Sequence, residues 1–201
     1  MIKLGLLLTG FLYAGLLPYT VRRALRHVVF DPATQTLSFF SNKHLYGEKY
    51  SKGYKSLLFA SAILTYCFFW LLAEFYDLGE HEKLMKYIDY SFAFMTLLAF
   101  VPHNMYPYNI RNPKTSLQRI LHNLLAVNVF ILLPSLIVTF QVAILQNLWF
   151  LGISGLIIIG VVVLLTLLSI IRNGVNGFAE ILFINGISIW SIFVTVLTFI
   201  R

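Results

Sequence analysis

Apolar residues come in six long runs, at residues 4–19, 56–75, 88–105, 120–140, 148–171 and 178–200, and polar residues gather between them. A bilayer crossing needs about 20 mostly apolar residues, so each run is a candidate span, the first and third being the shortest. The third is continuous to Val101 and extends through Pro102 to Met105, with His103 at its edge. None shows the alternation of a barrel strand; all are apolar around the whole circumference, as a helix in lipid is. The pattern predicts an all-α integral membrane protein: six transmembrane helices in an antiparallel bundle, one domain over residues 1–201. The first run begins MIKLGLLLTG and has the look of a secretory signal. Lys3 is its only leading charge and no small-x-small site follows cleanly, so it is expected to be a retained span.

Composition agrees. The chain is 59% hydrophobic and 11% charged, with a mean hydropathy of +0.80, against about 25% charged residues in soluble domains. There is too little polar side chain to cover a water-facing globule. The net charge of +7 is explained by cations flanking spans, so nucleic acid is not expected as a partner. The single cysteine, Cys67, excludes an intrachain disulfide and a CxxC site, and its apolar neighbours suggest a small packing residue.

The charge is unevenly divided. The first, third and fifth connections carry Arg22, Arg23, Arg26, Lys43, Lys49, Lys52, Lys55, Arg111, Lys114, Arg119 and Arg172, eleven of the 15 cations. Lys3, Lys83, Lys86 and Arg201 fall on the other side. Cations near a span resist translocation, so these three loops are expected in the cytoplasm and both termini outside, in a plasma membrane or bacterial inner membrane. In the first connection TVRRALRHVV reads as a short helix leaving the membrane, and HVVFDPATQTLSFF as a small β-hairpin about its Asp-Pro turn. The second connection is acidic, with Glu74, Asp77, Glu80, Glu82 and Asp89 around His81; lacking tight ligand spacing, it reads as a solvated loop. The fifth run is nearly featureless and reads as a lipid-facing or partner surface.

Polar groups at membrane depth are costly and therefore candidates for function. Here they are Glu74, Asp89, His103, His122, Asn123, Asn128 and Glu180, concentrated where the third helix ends and the fourth begins. Three readings of that stretch, AFVPHNMYPYNIRNPKTSLQRILHNLLAVNVF, compete. In the first, Pro102, Pro107 and Pro113 and the asparagines build a rigid loop, and His122 donates to a carbonyl of a neighbouring helix. In the second, the loop forms a lipid-headgroup or anionic-ligand pocket. Its candidate residues are His103, Asn104, Tyr108, Arg111, Lys114, Arg119, His122 and Asn123, and Thr115 or Ser116 caps a helix whose free N–H groups favour phosphate. In the third, His103 and His122 serve a membrane enzyme or ligate metal or haem, a thin signal without a third ligand in register. No GxSxG, paired-carboxylate or phosphate-loop motif supports catalysis.

The steps FVPHNMYP and LHNLLAVNVFILLP, within residues 90–134, resemble a pattern of small six-span membrane proteins. These are an uncharacterised bacterial family and the superfamily of FGF-receptor-activating proteins and damage-regulated autophagy modulators. The matching positions are Pro102 or Pro107, His122, Ala126 and Phe130; the glycine usual before the aromatic-Pro step is absent from residues 96–101. The resemblance implies a non-enzymatic role in lipid distribution, membrane homeostasis or receptor association. The expectation is a lipid-binding or accessory protein, needing no cofactor or metal. Its partners would be membrane lipids with anionic headgroups at the cytoplasmic face, and a larger membrane protein or a second copy of the chain.

Overall fold

The computed structural model describes residues 1–103 and 113–201. Among these, six α-helices account for most of the chain: α1 Ile2–Leu25, α2 Lys43–Phe75, α3 Glu82–Phe100, α4 Pro113–Ile144, α5 Trp149–Asn173 and α6 Gly177–Ile200. Five of them (α1, α2, α5, α6 and, from Ser116, α4) are long and apolar enough to cross a membrane. α3 is 19 residues long and falls outside that set, because Lys83, Lys86 and Asp89 sit in its first half.

Each helix packs on the next, and α6 returns to α1, so the six form a ring. One half of its interior is filled by aromatic rings. Phe68 and Phe69 of α2, Phe140 of α4 and Trp190 of α6 are wholly buried; Phe69 stacks on Trp190 with centroids 5.5 Å apart and ring planes 12° apart. The indole N–H needs a partner in such a place. Gln141 supplies it: with its amide oriented to satisfy both neighbours, its oxygen accepts from Trp190 Nε1 at 2.8 Å and its nitrogen donates to the Leu151 carbonyl at 3.0 Å. α5 buries Gly152, Gly155, Ile159 and Val162 and turns Ile157, Val161, Leu164 and Leu168 outward. Cys67 is also exposed, on the outer side of α2 with Ile63 and Trp70; it is not the interior packing residue its neighbours suggested.

Helix ends follow local chemistry. Val101 leaves the helix at φ −104°, ψ 95°, the extended region that a following proline enforces, so α3 stops at Phe100 and not at residue 105; residues 104 and 105 lie outside the described residues. Asp77 has φ 56° and closes α2 with paired bonds, Leu78 N–H to the Ala73 carbonyl (2.8 Å) and Asp77 N–H to that of Glu74 (3.4 Å). α1 continues without a break through the arginines that were expected to start a separate helix, although Pro18 lies inside it. α2 begins at Lys43, far before residue 56, and bends at Gly47, whose φ is +83°.

The expected β-hairpin is absent among the described residues. Asp31–Gln35 does form a turn: the Asp31 carboxylate accepts from Ala33 N–H (3.0 Å) and Thr34 Oγ1 (2.7 Å). Its flanks, however, have no strand partner, and Leu37–Ser41 coils into a 3₁₀ turn. The backbone groups a hairpin would have paired go to the start of α6 instead. Gly177 N–H donates to the Gln35 carbonyl at 2.7 Å and Phe178 N–H to that of Pro32 at 3.2 Å. The Glu180 carboxylate accepts from Leu37 N–H. So close is this approach that a Cβ on Gly177 would stand 2.8 Å from the Gln35 oxygen. The segment also buries Leu37 and Phe40 with Val21 of α1, against Tyr50 and Tyr54 of α2 and Ile184 of α6. Too short for a core of its own, it borrows one from three helix ends.

Candidate functional site

The end of the ring where α1, α3 and α5 finish and α2, α4 and α6 begin holds two features. The first is the histidine pair. Pro102 ends α3, and the short way into α4 brings the His103 and His122 rings to 5.1 Å between centroids. His122 is buried (1% exposed) in the second half of α4's polar beginning, and its Nδ1 lies 2.6 Å from the Val101 carbonyl oxygen. A carbonyl only accepts, so Nδ1 carries the hydrogen and Nε2 presents a lone pair. His103 stacks on Phe39 at 5.0 Å, and its backbone N–H donates to Ser41 Oγ at 2.7 Å. Burial foremost, then the neighbouring His122 and Arg119, push the His103 imidazole from 6.5 down to about 4, so it is neutral at pH 7. Gln118 Nε2 donates to the Pro102 carbonyl at 3.0 Å.

The other residues singled out from the sequence are not all gathered here. Arg119 is partly buried beside the pair, whereas Lys114 and Asn123 are exposed. Asn104, Tyr108 and Arg111 lie outside the described residues. Among the described residues no group of three or more His, Cys, Asp or Glu is arranged to hold a metal ion. In the acidic connection His81 has a plain task, capping α3 by accepting from Leu84 N–H at 3.2 Å.

The second feature is a cavity of about 610 Å³ inside the same end of the ring, bounded by α1, α2, α3, α4, α6 and the 3₁₀ turn. Its walls are mostly apolar: Leu17, Leu57, Met95, Val129, Phe130 and Phe183 are among them. The exposed Arg23, His27 and Lys49, from the end of α1 and the start of α2, form its edge; none of the three is in an ion pair among the described residues. Polar side chains also enter the wall, Tyr54, Ser61, His122 and Glu180 among them. The volume lies within the ~300–1,000 Å³ usual for small-molecule sites.

Of the loop-three candidates among the described residues, His122 alone lines this cavity. Sequence reasoning flagged Glu180 as a polar group at depth; it read Arg23 as charge flanking a span, with anionic-lipid recognition as the sharper alternative, counted Lys49 among the cations of the first connection, and did not single out His27. A weak signal was available: Tyr13, Leu17, Val21 and Ala24 on α1, and Tyr50, Tyr54, Leu57 and Ser61 on α2, recur at helical spacing as single faces that end in cations. No family model, no curated protein and no solved structure matches the chain. What the structure defines is therefore a class: a helical bundle with five helices suited to a bilayer and an apolar cavity edged by cations at one end.

Proposed function

We propose that this protein is a six-span membrane protein that binds an anionic lipid or similar amphiphile without transforming it, and that Arg23, Lys49 and His27 receive the headgroup. The observation that carries this is the cavity: an apolar interior whose edge holds Arg23, His27 and Lys49, none of them in an ion pair among the described residues. Water is a poor occupant of an apolar chamber, and a phosphate is a poor occupant of anything but the edge. An amphiphile satisfies both parts.

α3 is the sixth span in this reading. Its 19 residues reach about 28 Å at 1.5 Å per residue, close to the ~30 Å hydrocarbon thickness. Its charges sit in the first two turns, where Lys86 pairs with Glu82, leaving residues 90–100 at depth. Lys55 over the Phe100 ring, 4.2 Å from its centroid, marks the opposite interface. The cation-rich end then faces the cytoplasm, where anionic lipids are concentrated and each nearby Lys or Arg contributes about 1 kcal/mol of attraction. The non-enzymatic role implied by the resemblance of residues 90–134 to small six-span proteins points the same way.

The test is lipid retention by the purified full chain, read by native mass spectrometry in a non-lipid detergent. Wild type is expected to carry an anionic lipid, and Arg23→Glu with Lys49→Glu to lose it while melting normally. Retention unaffected by the double reversal would reject the assignment. Accessibility of cysteines placed at Lys52 and at Glu80, in a Cys67→Ser background, checks the orientation: they must label from opposite sides.

A further inference from the structure

Lipid tails cover an apolar helix face but satisfy no polar group, so a polar side chain turned outward from a membrane helix calls for a partner. α6 carries one. Most of its polar side chains are committed within the fold. Asn176 caps the helix by accepting from Ala179 N–H at 3.1 Å, and Glu180 takes the Leu37 N–H. Ser188 Oγ donates to the Ile184 carbonyl at 2.9 Å and Ser191 Oγ to that of Gly10 at 3.2 Å. Asn185 differs: it is exposed and makes no hydrogen bond among the described residues. It is also deep. It follows Gly177 by eight residues in a helix of 24, about 12 Å from the start of a rod about 36 Å long. Centred in ~30 Å of hydrocarbon, that helix places Asn185 about 9 Å below the nearer headgroups. Its carboxamide, one methylene from the backbone, cannot reach back to water as a lysine does. The asparagines of α4 are in easier positions. Asn123 adjoins His122, level with the end of α3, and Asn128 donates to the Leu124 carbonyl of its own helix at 2.8 Å.

Asn185 lies within a seam. Leu182, Ile189, Ile192 and Phe199 are exposed, and Val196 is half-buried. With Asn185 they fall at alternating steps of three and four, the 3.5-residue repeat along which two helices pack. The core of the chain and the cavity take the other side of α6, where Phe183 and Ile187 are buried. One asparagine in an otherwise apolar seam sets register and oligomer state. The occupant follows from the amide itself. A carboxamide donates and accepts at once, so it is its own complement. The charge bias between the two ends inserts every copy in one orientation, which puts Asn185 of any two copies at one depth. A twofold axis along the bilayer normal then brings the amides together with no change of level. The outward face of α5 makes no such demand: Ile157, Val161, Leu164 and Leu168 are at home in lipid.

We propose that two copies of this chain associate in the membrane through the outward faces of α6, with Asn185 hydrogen-bonded to Asn185 of the partner subunit. This rests on α6 crossing the bilayer and is independent of what the cavity holds. The test uses the full-length protein in phosphatidylcholine vesicles, dye-labelled at a cysteine placed at Lys52 in a Cys67→Ser background, with photobleaching steps counted as the protein-to-lipid ratio is varied. Wild type is expected to bleach in two steps. Asn185→Leu, which removes no hydrogen bond within the chain, is expected to melt normally in detergent and to need roughly tenfold higher density for half-association, the worth of an amide pair in lipid; Asn185→Gln should recover most of the loss. Oxidative cross-linking supplies an independent arm that leaves Asn185 in place: Ile189→Cys on the seam is expected to form a disulfide-linked dimer, and Leu164→Cys on α5 is not. The cross-link decides even if Asn185→Leu fails to fold. Single-step bleaching of wild type at every density, or equal association of wild type and a folded Asn185→Leu, would overturn the proposal. So would cross-linking at Leu164→Cys without Ile189→Cys, and three or more bleaching steps would overturn the twofold pairing.

Discussion

The contact between α1 and α6 offers the sharpest test of the bundle, through Gly10. A Cβ built at this glycine would stand 2.0 Å from Thr195 Oγ1, 2.9 Å from Thr195 Cγ2 and 3.0 Å from Phe68 Cε2. Ser191 Oγ donates to the Gly10 carbonyl at 3.2 Å, so the two backbones are held at this separation. Threonine is short and, within a helix, confined to few rotamers; it cannot swing clear as a long side chain would. Gly10→Ala must therefore push α1 away from α6, against a helix-propensity gain of about 1 kcal/mol for replacing glycine. Overpacking typically costs about 1–3 kcal/mol, and contacts at 2.0 Å place this site at the upper end. The net loss is about 1–2 kcal/mol, a fall of roughly 2–8 °C for a chain of this size. Scanning fluorimetry in detergent reads it. The cause is checked by Thr195→Ala: Thr195 Oγ1 has no hydrogen-bond partner among the described residues, so its removal costs the fold little, while it vacates the space the new methyl needs. The pair is expected to couple by 1 kcal/mol or more, within the range found for contacting residues, with Gly10→Ala/Thr195→Ala melting near Thr195→Ala alone. If the two single shifts simply add to within about 0.5 kcal/mol, or if Gly10→Ala melts like wild type, α1 does not dock on α6 as described. Because Tyr13, Leu17 and Val21 of α1 also wall the cavity, the same substitution should weaken lipid retention.

Two further outcomes concern the histidines. His122→Ala removes the bond to Val101 and is expected to lower the melting temperature by a few degrees: membrane helix–helix hydrogen bonds average about 0.6 kcal/mol, and truncating the ring adds an unfilled space; an unchanged melting temperature would show that the Val101 contact contributes nothing. The second concerns pH. His103 holds its pKa at about 4 in the fold against 6.5 free, so between those values the unfolded chain takes up a proton that the fold refuses. Stability from this group is complete above pH 6.5, is lost as pH falls through the window and loses nothing more below 4. Partial exposure reduces the full value, leaving about 1–2 kcal/mol. Melts from pH 7.5 to 4 should show this slope, and His103→Phe should flatten it; an equal slope in both proteins would assign it to other groups.

The sequence alone determined what depends on local, additive chemistry. Whether a stretch prefers oil is the sum of its own side chains, so the positions of α1, α2, α4, α5 and α6 were legible from hydropathy; hydropathy overran the end of α3, which Pro102 sets through its local effect on Val101. The four charges in α3 were equally legible, but its place between α2 and α4 was not. What only the tertiary structure decided depends on residues far apart in the chain. HVVFDPATQTLSFF has the composition of a hairpin, yet Glu180 and Gly177, more than 140 residues later, take its backbone groups and coil it over the cavity. Arg23 and Lys49 look like any flanking cations until α1 and α2 pack and set them at one opening. A cavity belongs to no single segment: it is the space that five helices fail to fill, and no pattern along one helix records what its neighbours leave empty.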